Sequence, residues 1–153
     1  MKKIAVELTQ IIAEYSEKLS GISENDFSQK PSPEKWSRKE ELGHLIDSAM
    51  TNLRRFVIAQ YETDPKIVYD QNFFVNAIGY AKQPSVNLIA LWKLLNQQIA
   101  AVLDSMPEKN YGRTCDTGKN TIELHTIEWL AGDYVKHLRH HLHHILGLVA
   151  IPY

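Results

Sequence analysis

The chain has 153 residues, of which 44% are hydrophobic and 23% charged, and its formal net charge at pH 7 is −1. These values are typical of a globular protein that can bury a sizeable core, and we expect a single domain over residues 1–153. The nearly neutral charge and the scattered basic residues argue against nucleic acid or an anionic membrane surface as a partner.

The beginning of the chain does not resemble a targeting segment. The first three residues are followed by an amphipathic pattern that contains Glu7 and Glu14, whereas a signal peptide needs an unbroken apolar run. No run approaches the roughly 18 apolar residues that a membrane span requires. The single cysteine, Cys115, cannot form an internal disulfide and fits a reducing compartment. We therefore expect a cytoplasmic protein without a membrane span.

Apolar residues at helical spacing predict the first two long helices. The first covers residues 3–20, and a loop without periodicity follows over residues 21–37. The run that starts at Ser37 and ends at Glu40 has the form of a capping box, in which each of these two side chains bonds the other's backbone. The second helix is therefore expected from residue 38 to about 61.

A long connection precedes the third helix. Residues 62–84 contain two prolines and one predicted short helix that begins near Asp70. The third long helix is expected to begin at Ser85, as its N-cap residue, and to end at Met106 before Pro107. Because the connection can cross a bundle of roughly 30–35 Å, the second and third helices can run parallel.

Turn-forming residues then separate two short segments of β character. Residues 111–115 and 121–125 flank the turn-forming residues 116–120, which predicts a small β-hairpin. Thr126 is expected to cap the fourth long helix, which runs to about residue 149. Four amphipathic helices and one long crossover predict an all-α four-helix bundle with up-down-down-up topology.

Five of the seven histidines lie within residues 137–144. Because residues four apart share one face of a helix, His137, His141 and His144 form one stripe, whereas His143 points roughly the opposite way. A His-x-x-x-His pair can place two imidazole nitrogens on one metal ion. Two ligands hold a metal poorly, so a third should come from another element.

His44 is the candidate for the third ligand. It lies near the beginning of the second helix, whereas His137 and His141 lie near the end of the fourth. If these helices are antiparallel, the three side chains fall within about two turns of one another. His44 projects away from the aliphatic stripe of its own helix, which places the site in a cleft beside the core. The predicted lining of this cleft comprises Asp47, Ser48, Thr51 and Arg55.

Other interpretations of these residues stay open. A lone histidine on a polar helix face is more often solvated than a ligand, and His140 and His143 are expected at the surface. His144 suits a pocket or an outer contact as well as ligation. Asp47 and Asp133 could each orient an imidazole by accepting its other N–H, or could be exposed helix acids.

Several short motifs carry a family resemblance. Those in the region of the second helix are Trp36-Ser37, His44-Leu45-Ile46-Asp47-Ser48 and Asn52-x-x-Arg55-Phe56. Those further on are Pro65-x-x-x-Tyr69-Asp70 and His137-x-x-His140-His141-x-x-His144. Their order and spacing over about residues 30–146 resemble the DinB-like superfamily, and within it the YfiT branch of metal-dependent hydrolases and bacillithiol transferases. Gln71, Gly132 and Asp133 depart from the usual pattern of that branch.

The resemblance implies an up-down-down-up bundle, often dimeric, that binds nickel or zinc through three histidines. Carried over to this chain, the ligands are His44, His137 and His141, the same three that helical spacing brings together. We therefore expect a divalent metal cofactor, nickel or zinc, and a homodimer.

Three neutral imidazoles leave a divalent ion with open positions, at which it can activate water or deprotonate a thiol. We expect a metal-dependent enzyme that transfers a low-molecular-weight thiol to an electrophilic small molecule. The alternatives are hydrolysis of an amide or ester and a non-catalytic metal-binding stress-response bundle. Asp47, Asp70 and His144 are candidates for proton transfer or substrate contact, and Arg55 is a candidate for binding an anionic thiol.

Overall fold

A computed structural model of the chain describes all 153 residues. Its helices, in chain order, are α1 (Lys2–Ser20), α2 (Glu24–Ser28), α3 (Arg38–Ile58), α4 (Gln71–Ile78), α5 (Ser85–Ser105) and α6 (Ile127–Leu146). Two strands, β1 (Thr114–Asp116) and β2 (Leu124–Thr126), form an antiparallel pair. Single 3-10 turns lie at Tyr80–Lys82 and Glu108–Asn110. The predicted all-α class with a small hairpin is confirmed.

The four long helices form a bundle in which α1 and α3 each pack against both α5 and α6. The carboxylate of Glu24 contacts the Lys39 ammonium and accepts a hydrogen bond from the backbone N–H of Ser85, so α3 and α5 begin at the same end of the bundle. Helices α3 and α5 are therefore parallel, as the long crossover predicts.

Contacts of α6 give the remaining directions. His44, early in α3, contacts His137 in the second half of α6, whereas Phe56, late in α3, contacts Tyr134 nearer the beginning of α6. These two helices are therefore antiparallel. On α1, Glu7 bonds Arg139 and Tyr15 bonds His143, so α1 and α6 are parallel. The topology is up-down-down-up.

The apolar faces of the long helices meet in one core. Its largest fully buried side chains include Trp92, Tyr134, Phe56, Leu8 and Leu45. Helix α5 is the one helix that is long and apolar enough to cross a membrane by length and composition alone. It packs the side chains of Leu88, Trp92, Ile99 and Leu103 into the core, whereas Val86, Leu91 and Leu94 of the same helix are exposed.

Side-chain caps set most helix starts as predicted. At α3, Glu40 accepts from the backbone N–H of Ser37 at 2.8 Å, and the Ser37 hydroxyl accepts from the backbone N–H of Glu40 at 3.2 Å. Asp70 caps α4 through the N–H of Phe73, and Thr126 caps α6 through the N–H of Trp129. The prediction of Ser85 as an N-cap is wrong, because Pro84 takes that position and Ser85 is the first residue of α5.

Two helix ends and one predicted loop differ from the predictions. Helix α6 ends at Leu146 rather than near residue 149, because Gly147 adopts a left-handed φ of 65° and the chain turns there. Helix α3 ends at Ile58 rather than 61. The segment 21–37, expected to be a loop, contains α2, whose five residues bury only Phe27 and are too few to show a periodicity.

The hairpin lies slightly later in the chain than the sequence indicates. Its strands pair Thr114 with Thr126 and Asp116 with Leu124. The crossover adds a contact that the sequence does not predict, since Lys66 forms a parallel bridge with Asp116. This bridge anchors the segment between α3 and α4, which covers one side of the histidine cluster.

Gly43 allows the 3-10 turn to approach α3. A Cβ at this position would lie 2.1 Å from Cδ2 and 2.3 Å from Cγ of the buried Tyr80 ring. We expect Gly43→Ala to lower the free energy of unfolding by about 1–3 kcal/mol, because the added methyl group would overlap this buried ring. Urea unfolding measures this effect.

Gly132→Ala is the matched control. This residue is also inside a long helix, but an added Cβ meets no atom within 4 Å. Alanine should raise the free energy of unfolding there by up to about 1 kcal/mol, through helix propensity. Equal effects of the two variants would contradict the packing argument.

Candidate metal centre

Three histidines from two helices converge on one point. His44 lies in the first third of α3 and is 2% exposed, whereas His137 and His141 lie one turn apart on α6. One ligand nitrogen from each of the three lies within 4.8 Å of the others. The solvated alternative for His44 is therefore wrong, and the structure brings together the three residues that the sequence analysis selected.

The spacing of the imidazole nitrogens fits a metal ion. The Nε2 atoms of His44 and His137 are 3.1 Å apart. Two nitrogens that each lie ~2.0–2.1 Å from one ion at tetrahedral angles are roughly 3.3 Å apart. The same spacing suits a direct hydrogen bond between one protonated and one bare nitrogen, so it is compatible with the site with or without an ion.

Burial keeps two of these imidazoles neutral. The pKa of His44 is lowered from 6.5 to about 4, chiefly by burial and to a smaller extent by the neighbouring His141. Burial lowers the pKa of His137 to about 3, with smaller contributions from His141 and His44. Neutral imidazole is the form that ligates a metal, so both residues are ready for ligation at neutral pH.

Glu41, which the sequence patterns do not single out, also belongs to the site. Its Oε1 is 2.7 Å from Nδ1 of His141, and its Oε2 is 2.6 Å from Nδ1 of His144. Burial would raise the pKa of Glu41, but the hydrogen bonds from the two histidines outweigh it and the pKa is lowered. The carboxylate therefore holds the proton of His141 on Nδ1 and leaves its Nε2 free for a metal.

An inner cavity lies beside His44 and His137. It has a volume of about 150 Å³. Helix α3 contributes His44, Ser48, Asn52 and Arg55, the crossover contributes Tyr69 and Gln71, and α6 with the segment after it contributes Asp133, Tyr134, His137 and Tyr153. A cleft is thus present beside the aliphatic core, and the crossover closes one side of it. Of its four predicted lining residues, Ser48 and Arg55 line it, whereas Asp47 and Thr51 do not.

An outer cavity lies beside His141, with a volume of about 370 Å³. Its lining consists of Pro31, Lys35, Trp36, Glu41, His140, His141 and His144. The Trp36 ring also packs on His44, with ring centroids 5.2 Å apart. The three-histidine cluster therefore has ligands on the lining of both cavities.

Asp47 lies away from both cavities. It is fully buried, and its Oδ1 accepts a hydrogen bond of 2.6 Å from the Tyr80 hydroxyl. Its Oδ2 has no partner, and burial raises the pKa of the carboxyl to about 6. No hydrogen bond joins Asp47 to an imidazole, so the predicted orienting contact is not formed.

The other candidate residues differ in position. His144 is exposed, lines the outer cavity and uses Nδ1 to contact Glu41. Arg55 lines the inner cavity. Asp70 is exposed, caps α4 and lines neither cavity, although its neighbour Gln71 does. The catalytic roles of these residues stay predictions.

The remaining histidines of α6 hold the segment that follows the helix. Nδ1 of His140 lies 2.7 Å from the carbonyl oxygen of Ile151, and Nδ1 of His143 lies 2.8 Å from that of Val149. This segment brings Tyr153 back to the site, where its hydroxyl donates to Asp133 at 3.0 Å and its ring lies 5.2 Å from that of His137. The spacing of residues on α6 does not predict that Tyr153 lies at the site.

We expect Glu41→Gln to weaken metal binding. An amide has a single acceptor oxygen, so one of the two imidazoles loses its acceptor. Loss of such an outer contact typically costs about 10–100-fold in metal affinity. Competition with a chromophoric chelator measures this change, with exposed Glu34→Gln as the control. An unchanged affinity in Glu41→Gln would show that the carboxylate does not support ligation.

The lowered pKa values of His44 and His137 make the metal-free fold sensitive to acid. The unfolded chain protonates both near pH 6.5, whereas the folded chain does so only near about 4 and about 3. Stability therefore falls as the pH drops from 6.5 toward 4, because the unfolded state binds more protons in this window. Asp47, with its pKa raised to about 6, opposes this trend.

Taken together, these three groups should lower the free energy of unfolding by about 2 kcal/mol between pH 6.5 and pH 5. Urea unfolding of chelator-treated protein at the two pH values measures the loss. The variant His44→Gln should lose less, because it has one imidazole fewer to protonate. The same pH dependence in both proteins would be the contrary result.

The fold is similar to those of three solved structures. YfiT from Bacillus subtilis, described as a probable metal-dependent hydrolase with an unusual four-helix bundle topology, matches with a TM-score of 0.85 and 23% identity over 95% of this chain and 83% of its own. Two structures of mycothiol-dependent maleylpyruvate isomerase match with TM-scores of 0.77 and 0.72 at 13% identity. In both matches the aligned region covers 97% of this chain, and it covers 61% and 60% of the two isomerase chains. At these identities the likeness is one of fold.

Comparison at the level of sequence gives the family. None of the curated proteins matches the chain. The profile of the DinB superfamily matches residues 7–145. This range includes the three converging histidines and all six helices, apart from the beginning of α1 and the last residue of α6. The chain therefore belongs to the DinB superfamily.

Proposed function

We propose that the protein is a divalent-metal-dependent enzyme that transfers a low-molecular-weight thiol to an electrophilic small molecule. The observation that carries this proposal is the convergence of His44, His137 and His141 within 4.8 Å, on the lining of two cavities. Three imidazoles and no bound carboxylate form a ligand set suited to nickel or zinc. A divalent ion held there supplies positive charge that favours the thiolate form of a thiol.

The two cavities support a reaction with two substrates. The inner cavity borders His44 and His137, and the outer cavity borders His141. A thiol and an electrophile can therefore approach the same three histidines from separate spaces. In the transfer, the thiol sulfur forms a bond to an electrophilic carbon, the leaving group departs with its electron pair, and the thiol proton passes to a base.

His144 is the candidate for this base. It lines the outer cavity, and its Nδ1 faces the buried carboxylate of Glu41 at 2.6 Å. A carboxylate that accepts from Nδ1 stabilises the protonated imidazole that forms when Nε2 takes up a proton. Asp47 and Asp70 stay candidates for proton transfer from the sequence pattern alone, since neither lines a cavity.

The comparisons support a thiol substrate, but they do not say which thiol this chain would use. One of the similar folds is described as mycothiol-dependent and another as a probable metal-dependent hydrolase. Hydrolysis of an amide or ester is therefore the second candidate, because the same three histidines and a metal could activate water. A non-catalytic stress-response bundle is the third. A single domain, a homodimer, a small-molecule substrate and a cytoplasmic location stay predictions.

Metal content and thiol conjugation together test the proposal. Protein prepared without a tag is expected to contain about one nickel or zinc per chain by elemental analysis, and His44→Gln, His137→Gln and His141→Gln each to lower metal affinity by roughly tenfold or more. The loaded protein should accelerate the coupling of a small thiol to a chlorodinitrobenzene, with loss of chloride.

His125→Gln is the matched control for the histidine variants. Its ring stacks on Trp129 with a centroid distance of 3.9 Å, and it belongs to neither cavity. This variant should retain both metal and conjugation. Metal-free protein whose stability and metal uptake do not respond to His44→Gln would refute the metalloenzyme. Ester cleavage without thiol coupling would favour the hydrolase.

A further inference from the structure

The inner cavity contains a positive charge that has no acidic partner. None of the molecule's seven ion pairs includes Arg55. Its guanidinium instead donates to neutral oxygens, through Nε and Nη2 to the Ile67 carbonyl at 3.1 and 2.8 Å and through Nη1 to Asn52 Oδ1 at 3.4 Å. Arg55 is partly buried, and charged groups that are removed from water are normally paired, so its guanidinium is suited to bind an anion.

The unused donors of Arg55 suit a carboxylate. A guanidinium has five N–H groups, and the three hydrogen bonds leave one on each terminal nitrogen. Two such donors match the two oxygens of one carboxylate. Ser48 and Asn52, which lie between Arg55 and His44 on the same face of α3, add neutral polar groups to the lining.

The size of the cavity limits the ligand. Its volume of about 150 Å³ is less than half that of the outer cavity, which is about 370 Å³. A short aliphatic acid suits this smaller space better than a whole tripeptide-sized thiol. Asp133 is the one acid on the lining, and it already accepts from Tyr153. Asp133 offsets part of the charge of Arg55, and a divalent ion on the three neutral imidazoles would make the cavity positive overall.

We propose that the inner cavity is a carboxylate subsite, in which Arg55 binds the carboxylate of one substrate while the other end of that substrate reaches His44 and His137. The proposal deepens the thiol transfer proposed above and rests on it for the identity of the reaction. The carboxylate belongs either to the thiol or to the electrophile. In both cases a short chain joins it to the reacting atom.

Cobalt-substituted protein separates the two sources. Thiolate binding to Co²⁺ gives a charge-transfer absorption band, which is titrated with mercaptocarboxylates of two to five carbons and with mercaptoalcohols of the same lengths. If the thiol carries the carboxylate, the best mercaptocarboxylate should bind roughly tenfold or more tightly than its alcohol. Arg55→Gln should abolish this preference, and Arg54→Gln, a change at the exposed neighbouring arginine, should retain it.

The mercaptoalcohols report on the integrity of the site. Arg55 also holds the crossover through Ile67, so a purely structural role would weaken the binding of acids and alcohols alike. If Arg55→Gln does not fold, Arg55→Lys retains the charge without the two-pronged contact and should lose part of the preference.

Butyrate, which has no sulfur, provides the second arm. Its binding to metal-free protein is followed by changes in amide chemical shifts, with butanol as the comparison. Binding that Arg55→Gln abolishes, together with a cobalt band that shows no preference for acids, assigns the carboxylate to the electrophile. The absence of an Arg55-dependent preference for acids in both arms overturns the subsite. The absence of any cobalt–thiolate band instead refutes thiol transfer, and the butyrate titration still decides the subsite.

Discussion

The antiparallel packing of α3 against α6 is the contact on which the site depends. Each helix turns an apolar face toward the core. Beside this face, the two helices also bury polar side chains. On α3 these include His44, Ser48 and Asn52. Burial of such groups is costly unless they are hydrogen-bonded or ligated. His44 meets His137 of α6, whereas the Asn52 amide donates to the carbonyl and hydroxyl oxygens of Ser48 within α3.

Two buried carboxyl groups on α3 show how partners decide ionisation. Glu41 faces two imidazole Nδ1 atoms, and its pKa is lowered despite its burial. Asp47 faces only the Tyr80 hydroxyl, and its pKa is raised to about 6. The charge of Glu41 is therefore available to the histidine cluster at neutral pH. Asp47 lies in the same helix but has no cationic or N–H partner, so its carboxyl is partly protonated near pH 6.

Local patterns predicted much of the fold and the centre of the site. The capping box at Ser37, the four-residue spacing of His137 and His141, and the length of the crossover together place His44 against α6. Glu41 was not predicted, because three residues before His44 it has the form of an ordinary acid in a first helical turn. Tyr153 and the anchoring of its segment depend on contacts between elements, which helical periodicity does not encode. The same is true of α2 and of the bridge at Lys66.

The separation of the ligands along the chain has a consequence for assembly. His44 and His137 are 93 residues apart, yet their nitrogens lie 3.1 Å from each other. The cluster cannot form until α6 has been synthesised and has docked on α3. During most of translation, His44 is therefore present without the other two histidines. Contacts of such long sequence separation form late because the loop between them must first close. An ion bound there would link α3 to α6 and would stabilise the completed bundle relative to its partly folded precursors.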